Sequence, residues 1–179
     1  MLTEKDEVFL KSIHKEKKLA ESRITQALMK KAAGKLGFGE IEISRNVKKA
    51  PISNKNGIFL SASHTKNCCV GAAAFVPIGI DAENIQNVRK NVVKRFFSQS
   101  EQLLVEKSSD KNFMFTKIWT MKEAYGKMLG KGLCAAREIQ FYEENNEFCC
   151  SDKSVEFEIV KKNEIIITTC FQRYNRLDL

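Results

Sequence analysis

A chain of 179 residues is long enough for one large domain or for two small halves that share a core. Hydrophobic and charged shares of 43% and 29% are ordinary for a globular protein, and no apolar run approaches the roughly 18 residues of a membrane helix. The net charge of +8 sits in the first half, where residues 1–100 carry 18 Lys and Arg against 9 Asp and Glu; unless it is only a solvated face, this predicts a polyanionic partner: nucleic acid, a phosphate-rich small molecule or an acidic protein.

In chain order, residues 3–19 read as a short charged helix with no secretory h-region ahead of it, which points to the cytoplasm. A clearer helix spans 22–37: Ile24, Leu28, Ala32 and Leu36 recur at helical spacing, and Gly37 is a stop. Residues 41–44 suit a brief strand and 46–57 a polar loop containing Pro51. Residues 58–63 and 68–76 read as strands paired around a turn at 64–67, and a further strand follows at 78–83. Residues 88–97 are helical. Ser98 and Glu101 have capping-box spacing, opening the next helix, and a long helix runs over 113–129 to Gly130 and Gly132. The tail alternates strand-like runs at 139–142, 147–150, 155–160 and 165–171, an antiparallel meander. Helices and strands in this order predict an α+β fold. The six cysteines have no C-x-x-C spacing and read as free thiols of a reducing compartment.

Two segments carry the chemistry. Ile78-Gly79-Ile80-Asp81-Ala82-Glu83 is an apolar strand ending in two carboxylates on one face. Trp119, Glu123 and Lys127 form one i, i+4 row of the long helix. If the segments meet, three carboxylates and a lysine make a site for a hard divalent cation and a phosphate ester. Taken singly, Asp81 and Glu83 fit a solvated strand end as well as a pair held by a cation, and the spacing of Glu123 and Lys127 alone favours a surface ion pair, although Trp119, Tyr125, Met128 and Leu129 set that row beside an apolar one. His64 after Ser63 can donate to phosphate or cap its own turn, and Arg23, Lys48 and Lys49 are candidate phosphate clamps. Phosphate-binding glycine loops and a G-x-S-x-G nucleophile elbow do not occur, and two histidines, His14 and His64, do not suit a histidine zinc site.

Together the segments resemble the 4′-phosphopantetheinyl transferases, in particular the larger type that activates peptide synthetases such as surfactin synthetase. The resemblance rests on Gly79-Ile80-Asp81-Ala82-Glu83, on Lys94-Arg95-Phe96-Phe97-Ser98-Gln99-Ser100-Glu101, on Trp119 to Lys127, on Ser61-Ala62-Ser63-His64 and on Gly130-Lys131-Gly132-Leu133, over roughly residues 20–142. It implies a pseudo-twofold α+β fold, with an N-terminal half (1–77) on the coenzyme A nucleotide side and a C-terminal half (78–179) holding the metal site. It implies transfer of 4′-phosphopantetheine from coenzyme A to a serine of an acyl or peptidyl carrier protein, with Mg²⁺ (or Mn²⁺) and release of adenosine 3′,5′-bisphosphate. The metal ligands it implies are Asp81, Glu83 and Glu123. It gives Lys127 the pyrophosphate, Glu123 also the part of base, and Arg23, Lys49, Ser63, His64, Asp81 and Lys127 coenzyme A contacts. The mid-chain place of Asp81 implies a monomer that is a pseudo-dimer, with neither nucleic acid nor membrane as partner. Members of this type begin with a strand and several tens of further residues ahead of the helix holding Arg23; here Lys11, Lys15, Lys17 and Lys18 are the candidate replacements for basic residues set there. Two rivals are a non-catalytic carrier-binding relative and a basic nucleic-acid-binding protein. The second fits poorly, because Phe96, Phe97, Phe113, Phe115 and Trp119 take core-like helical positions instead of interleaving with the basic charge.

Overall fold

The computed structural model describes residues 16–145 and 147–173. Helix α1 (Glu16–Lys35) buries Thr25, Gln26, Met29 and Ala33 against a hairpin of β3 (Phe59–Thr65) and β4 (Cys68–Ala74). Of the short charged helix expected at 3–19, residues 16–19 are the first turn of α1, and the rest lies outside the described residues. The hairpin pairs Thr65 with Cys68 across Lys66 and Asn67, and Asn67 takes the positive φ (64°) that so tight a reversal needs. Between α1 and β3, β1 (Ile43–Arg45) pairs with β2 (Pro51–Ser53), a three-residue strand inside what the sequence suggests is loop. A cluster of Met29, Ala33, Ile41, Ile43, Ile58 and Leu60 forms the core here.

The second half is centred on α4 (Lys111–Met128), which packs on β5 (Ile78–Asn84) and β9 (Ile165–Gln172). Helices α2 (Lys90–Phe96) and α3 (Gln99–Lys107) lead into it, and Ser98 and Glu101 close the expected capping box at the start of α3. A 3₁₀ turn, Gly132–Arg137, follows α4. The tail departs from a simple meander: β6 (Phe141–Glu144) pairs with β7 (Glu147–Cys150), whereas β9 lies between β5 and β8 (Val155–Lys162). That places Asp81 opposite Thr168, on the edge strand that α4 and β3 cover. Here Phe97, Phe115, Ile118, Trp119, Phe141 and Cys170 belong to the core.

The plan is α+β and pseudo-twofold: one helix on antiparallel strands in each half, each seated on a glycine. A Cβ at Gly71 would lie 2.8 Å from Leu28 Cβ and 2.9 Å from the Met29 amide of α1. A Cβ at Gly79 would strike the Ala124 carbonyl oxygen of α4. In each half the missing side chain lets a helix lie directly on the backbone of a strand. Strands β3 and β5 belong to different sheets and are joined by side chains. The Ile80 amide donates to Ser61 Oγ (2.9 Å), and Asn84 Nδ2 donates to Thr65 Oγ1 (2.8 Å). The alternating hydroxyls of β3 thus form the seam on which the site lies.

Candidate active site

Asp81 is the centre of the site because β5, an edge strand paired with β9, is covered by the long helix α4 and by β3. Its carboxylate is almost fully buried, at 4% residue exposure. Oδ1 accepts hydrogen bonds from Ser63 Oγ (2.8 Å) and from Lys127 Nζ (2.7 Å). Lys127 also donates to the carbonyls of Ile80 (3.1 Å) and Ala62 (3.4 Å), so one ammonium ties α4 to both strands of the seam. Asp81 Oδ2 is buried and has no hydrogen-bond partner among the described residues. A buried oxygen in that position is costly unless something else satisfies it.

Trp119, Glu123 and Lys127 form the row of α4 next to Ala124 and Met128, the residues that Gly79 lets settle onto β5. Trp119, buried at 5% exposure, donates a hydrogen bond to Glu83. Burial, aided by the Asp81 charge, still holds Glu83 above its usual carboxylate range, against the pull of Arg89, Lys127 and that hydrogen bond. Glu123 is pushed further. Burial comes first, then the charges of Asp81 and Glu83, and together they raise it to about 7 against Lys127 and Arg89.

The three carboxylates therefore share one electrostatic environment. They are not gathered as a ready coordination sphere: among the described residues no three His, Cys, Asp or Glu side chains form a metal-holding group. Lys127, not a neighbouring carboxylate, meets Asp81. The donor set still fits a hard divalent cation, since it offers carboxylate oxygens only, one of them buried without a partner.

Two clefts flank Lys127 and share Arg45 and Ala62. One, of about 390 Å³, is walled by Lys48, Lys49, Pro51, Lys131 and Gly132. The other, of about 410 Å³, is walled by Lys18, Glu21, Ser22, Thr25, Ser63 and His64. A larger hollow of about 580 Å³ lies between α1 and residues 38–41, away from Asp81, Glu123 and Lys127.

Against these clefts the sequence-derived residues divide. Lys49, Ser63, His64, Asp81 and Lys127 are brought together; Ser63 faces Asp81, and His64 Nε2 stands 3.3 Å from Glu21. Arg23 is not brought in. It is exposed, on the opposite side of α1 from the stripe Lys18, Glu21, Ser22 and Thr25 that walls the cleft. Of the proposed replacement lysines, Lys18 lines the cleft, Lys17 reaches Glu21 (3.9 Å), and Lys11 and Lys15 lie outside the described residues.

Sequence reading missed Arg45 and Arg89, and it singled out Lys131 only within the stretch Gly130-Lys131-Gly132-Leu133, with no part in the site. Arg45 sits on a three-residue strand with no pattern of its own; its Nη1 donates to the Lys49 carbonyl (3.2 Å) and holds the turn. The Arg89 guanidinium lies over the rings of Trp119 (5.4 Å) and Phe115 (5.9 Å), and it acts on both glutamates. It was visible only as one more surface arginine.

Residues 77–170, from the start of β5 into β9, match the family described as the 4′-phosphopantetheinyl transferase superfamily. The chain is 37% identical over 73 residues to the 4′-phosphopantetheinyl transferase ffp of Bacillus subtilis, covering 40% of this chain and 33% of that one. It is likewise 37% identical over 73 residues to Sfp of Bacillus subtilis, again 40% and 33% of the two chains. It is 33% identical over 91 residues to HetI of Nostoc sp., covering 48% and 38%. The chain thus spans about a third of the length of the curated relatives it matches. Among solved structures, the Helicobacter pylori holo-[acyl-carrier-protein] synthase in complex with coenzyme A aligns over 54% of this chain and 99% of its own, at 20% identity and a TM-score of 0.44. Within the matched segment stand Asp81, Glu83, Glu123 and Lys127, whereas Arg23, Lys49, Ser63 and His64 precede it. On that match, and on the relatives of Sfp type, the chain belongs to the 4′-phosphopantetheinyl transferase superfamily.

Proposed function

We propose that the protein transfers 4′-phosphopantetheine from coenzyme A to a serine hydroxyl of an acyl or peptidyl carrier protein. A phosphodiester forms at the serine oxygen, the pyrophosphate P–O bond breaks, and adenosine 3′,5′-bisphosphate leaves. The observation that carries this reading is the meeting of Asp81 with Lys127 on a glycine-seated helix, beside a glutamate raised to about 7, at the junction of two basic clefts.

Asp81, Glu83 and Glu123 are the residues that would hold Mg²⁺, or Mn²⁺. When bound, the ion would offset charge on the pyrophosphate oxygens. Lys127, 28% exposed at its side chain, supplies a positive charge at the same place and orients one phosphate against the seam. Lys48, Lys49, Arg45, Lys18 and His64 line the walls that would receive the nucleotide and its 3′-phosphate. Glu123 takes the serine proton: a base near 7 is poised to be free at neutral pH and still to hold a proton once it is delivered. Among the described residues no helix is long and apolar enough to cross a membrane, and all six cysteines are free thiols. Those two facts support a cytoplasmic site of action on a carrier protein. A monomer is the assembly we propose, since both halves of the cleft come from one chain.

The test is intact-mass spectrometry of carrier proteins of fatty acid, polyketide and peptide synthesis, each incubated with this protein, coenzyme A and Mg²⁺. The expected result is one phosphopantetheine increment on at least one of them, dependent on enzyme and metal. Carrier proteins that all stay in the apo form would sink the reading.

A further inference from the structure

Lys122 precedes the proposed base yet faces away from the cleft. Its side chain is 1% exposed and Glu101, 21 residues earlier, is 0% exposed, with 2.8 Å between Nζ and Oε1. Lys122 Nζ also donates to the carbonyls of Ala136 (2.7 Å) and Ile139 (2.8 Å). Glu101 in turn accepts the Phe141 amide (2.9 Å) and the Ser98 amide (2.6 Å). The pair therefore binds α3, α4, the 3₁₀ turn and β6 at one point, with its hydrogen-bonding capacity well used. Ionic pairs are an expensive way to fill a core, and apolar residues would do so as well or better. What the pair adds is position.

One turn along the same row of α4 lies Gly126, where a Cβ would strike the Gly132 carbonyl oxygen; the Lys131 amide donates to the Gly126 carbonyl (3.1 Å). Lys122 and Gly126 thus hold residues 130–139 against α4. Gly130, Lys131 and Gly132 of that segment form one wall of the cleft beside Lys127.

We propose that Glu101 and Lys122 are a positioning pair for the transfer reaction: they set the 130–139 wall against α4, and through it the side of the cleft that receives coenzyme A. This rests on the function proposed above, although the placement can be read without it. Neither residue lines the clefts, so the pair acts through Lys131, Gly132 and the seating of Lys127.

The experiment compares wild type with the double variant Glu101→Gln/Lys122→Met, which removes both charges and so avoids leaving one buried alone. Amide hydrogen exchange and steady-state kinetics are measured on the full chain, well below its melting temperature. The expected result is a cooperative melt, exchange of amides 131–139 faster by at least about 10-fold, and a KM for coenzyme A raised about 10-fold. The KM for the carrier protein stays within about 2-fold of wild type. A folded double variant with both KM values and kcat unchanged, or with exchange over 131–139 unchanged, overturns the proposal. If the double variant does not fold, Lys122→Gln, which keeps one donor group, must show the same split in KM. If wild type itself transfers nothing, the functional reading falls, and the exchange result alone decides whether the pair positions the wall.

Discussion

At the scale of single residues, the account turns on carboxylates held out of water. Glu123 titrates at about 7 in the folded protein and near 4.5 unfolded, so the folded state binds the extra proton. Stability without metal is therefore highest below the unfolded value and is lost as pH rises from about 4.5 through about 7, after which this contribution is flat. Glu123→Gln removes it: melting of the metal-free variant from pH 5 to 8.5 should show a shallower fall, with a gain on the order of 2 kcal/mol over wild type at pH 8. Identical pH slopes for the two would refute the assigned shift. At the nucleotide end, His64→Ala should raise the KM for coenzyme A about 10-fold with little change for the carrier protein, whereas Arg23→Ala should change neither. Equal effects of the two substitutions on coenzyme A would contradict the placement of Arg23 outside the cleft.

Among the elements, α4 on β5 is the contact that makes the site, and its condition is Gly79. Gly79→Ala drives a methyl into the Ala124 carbonyl, so α4 must lift or shift. Overpacking of this kind costs about 1–3 kcal/mol. The transfer rate should fall by more than the loss of folded protein explains, since Glu123 and Lys127 move with α4. A variant whose rate tracks its folded fraction would show that this seating does not matter. The same contact marks how far the sequence could be read. The capping box of Ser98 and Glu101, the period of α4 and the existence of the hairpin are local, and each was legible from neighbouring letters; the turn itself is tighter than the expected 64–67, because His64 and Thr65 continue β3 and pair with Cys69 and Cys68. Strand β2 was missed because three residues opening on Pro51 carry no period. The place of β9 beside β5 was missed because strand order depends on pairing between residues some 85 positions apart. Lys122 hid in a Lys-Glu dipeptide of ordinary surface look, and only its distant partner Glu101 gives it meaning. Asp81, Glu123 and Lys127 were legible as a set through the resemblance; that Lys127 would sit on Asp81 was not.

For the molecule as a whole, the excess of positive charge in residues 1–100 gains a location. Lys18, Arg45, Lys48 and Lys49 from that half meet Lys127 and Lys131 from the other across the seam. Opposed charges at a largely open surface are screened by salt over about 10 Å at 0.1 M. Coenzyme A affinity by calorimetry should therefore weaken several-fold between about 0.05 and 0.5 M salt, and an affinity independent of salt would mean that the basic walls do not hold the nucleotide. The central claim is that Asp81 and Glu83 hold a cation while Glu123 also moves the proton. Its most direct test is the initial rate of carrier-protein modification, followed by intact mass, for wild type, Asp81→Asn and Glu123→Gln across a Mg²⁺ titration. The account predicts that Asp81→Asn is severely slowed at low Mg²⁺ and partly recovers at high Mg²⁺. Glu123→Gln is predicted to stay about 10²–10⁴-fold below wild type throughout. A Glu123→Gln enzyme that reaches wild-type turnover in saturating Mg²⁺ would contradict it and leave Glu123 and Lys127 as a helix ion pair beside the cleft.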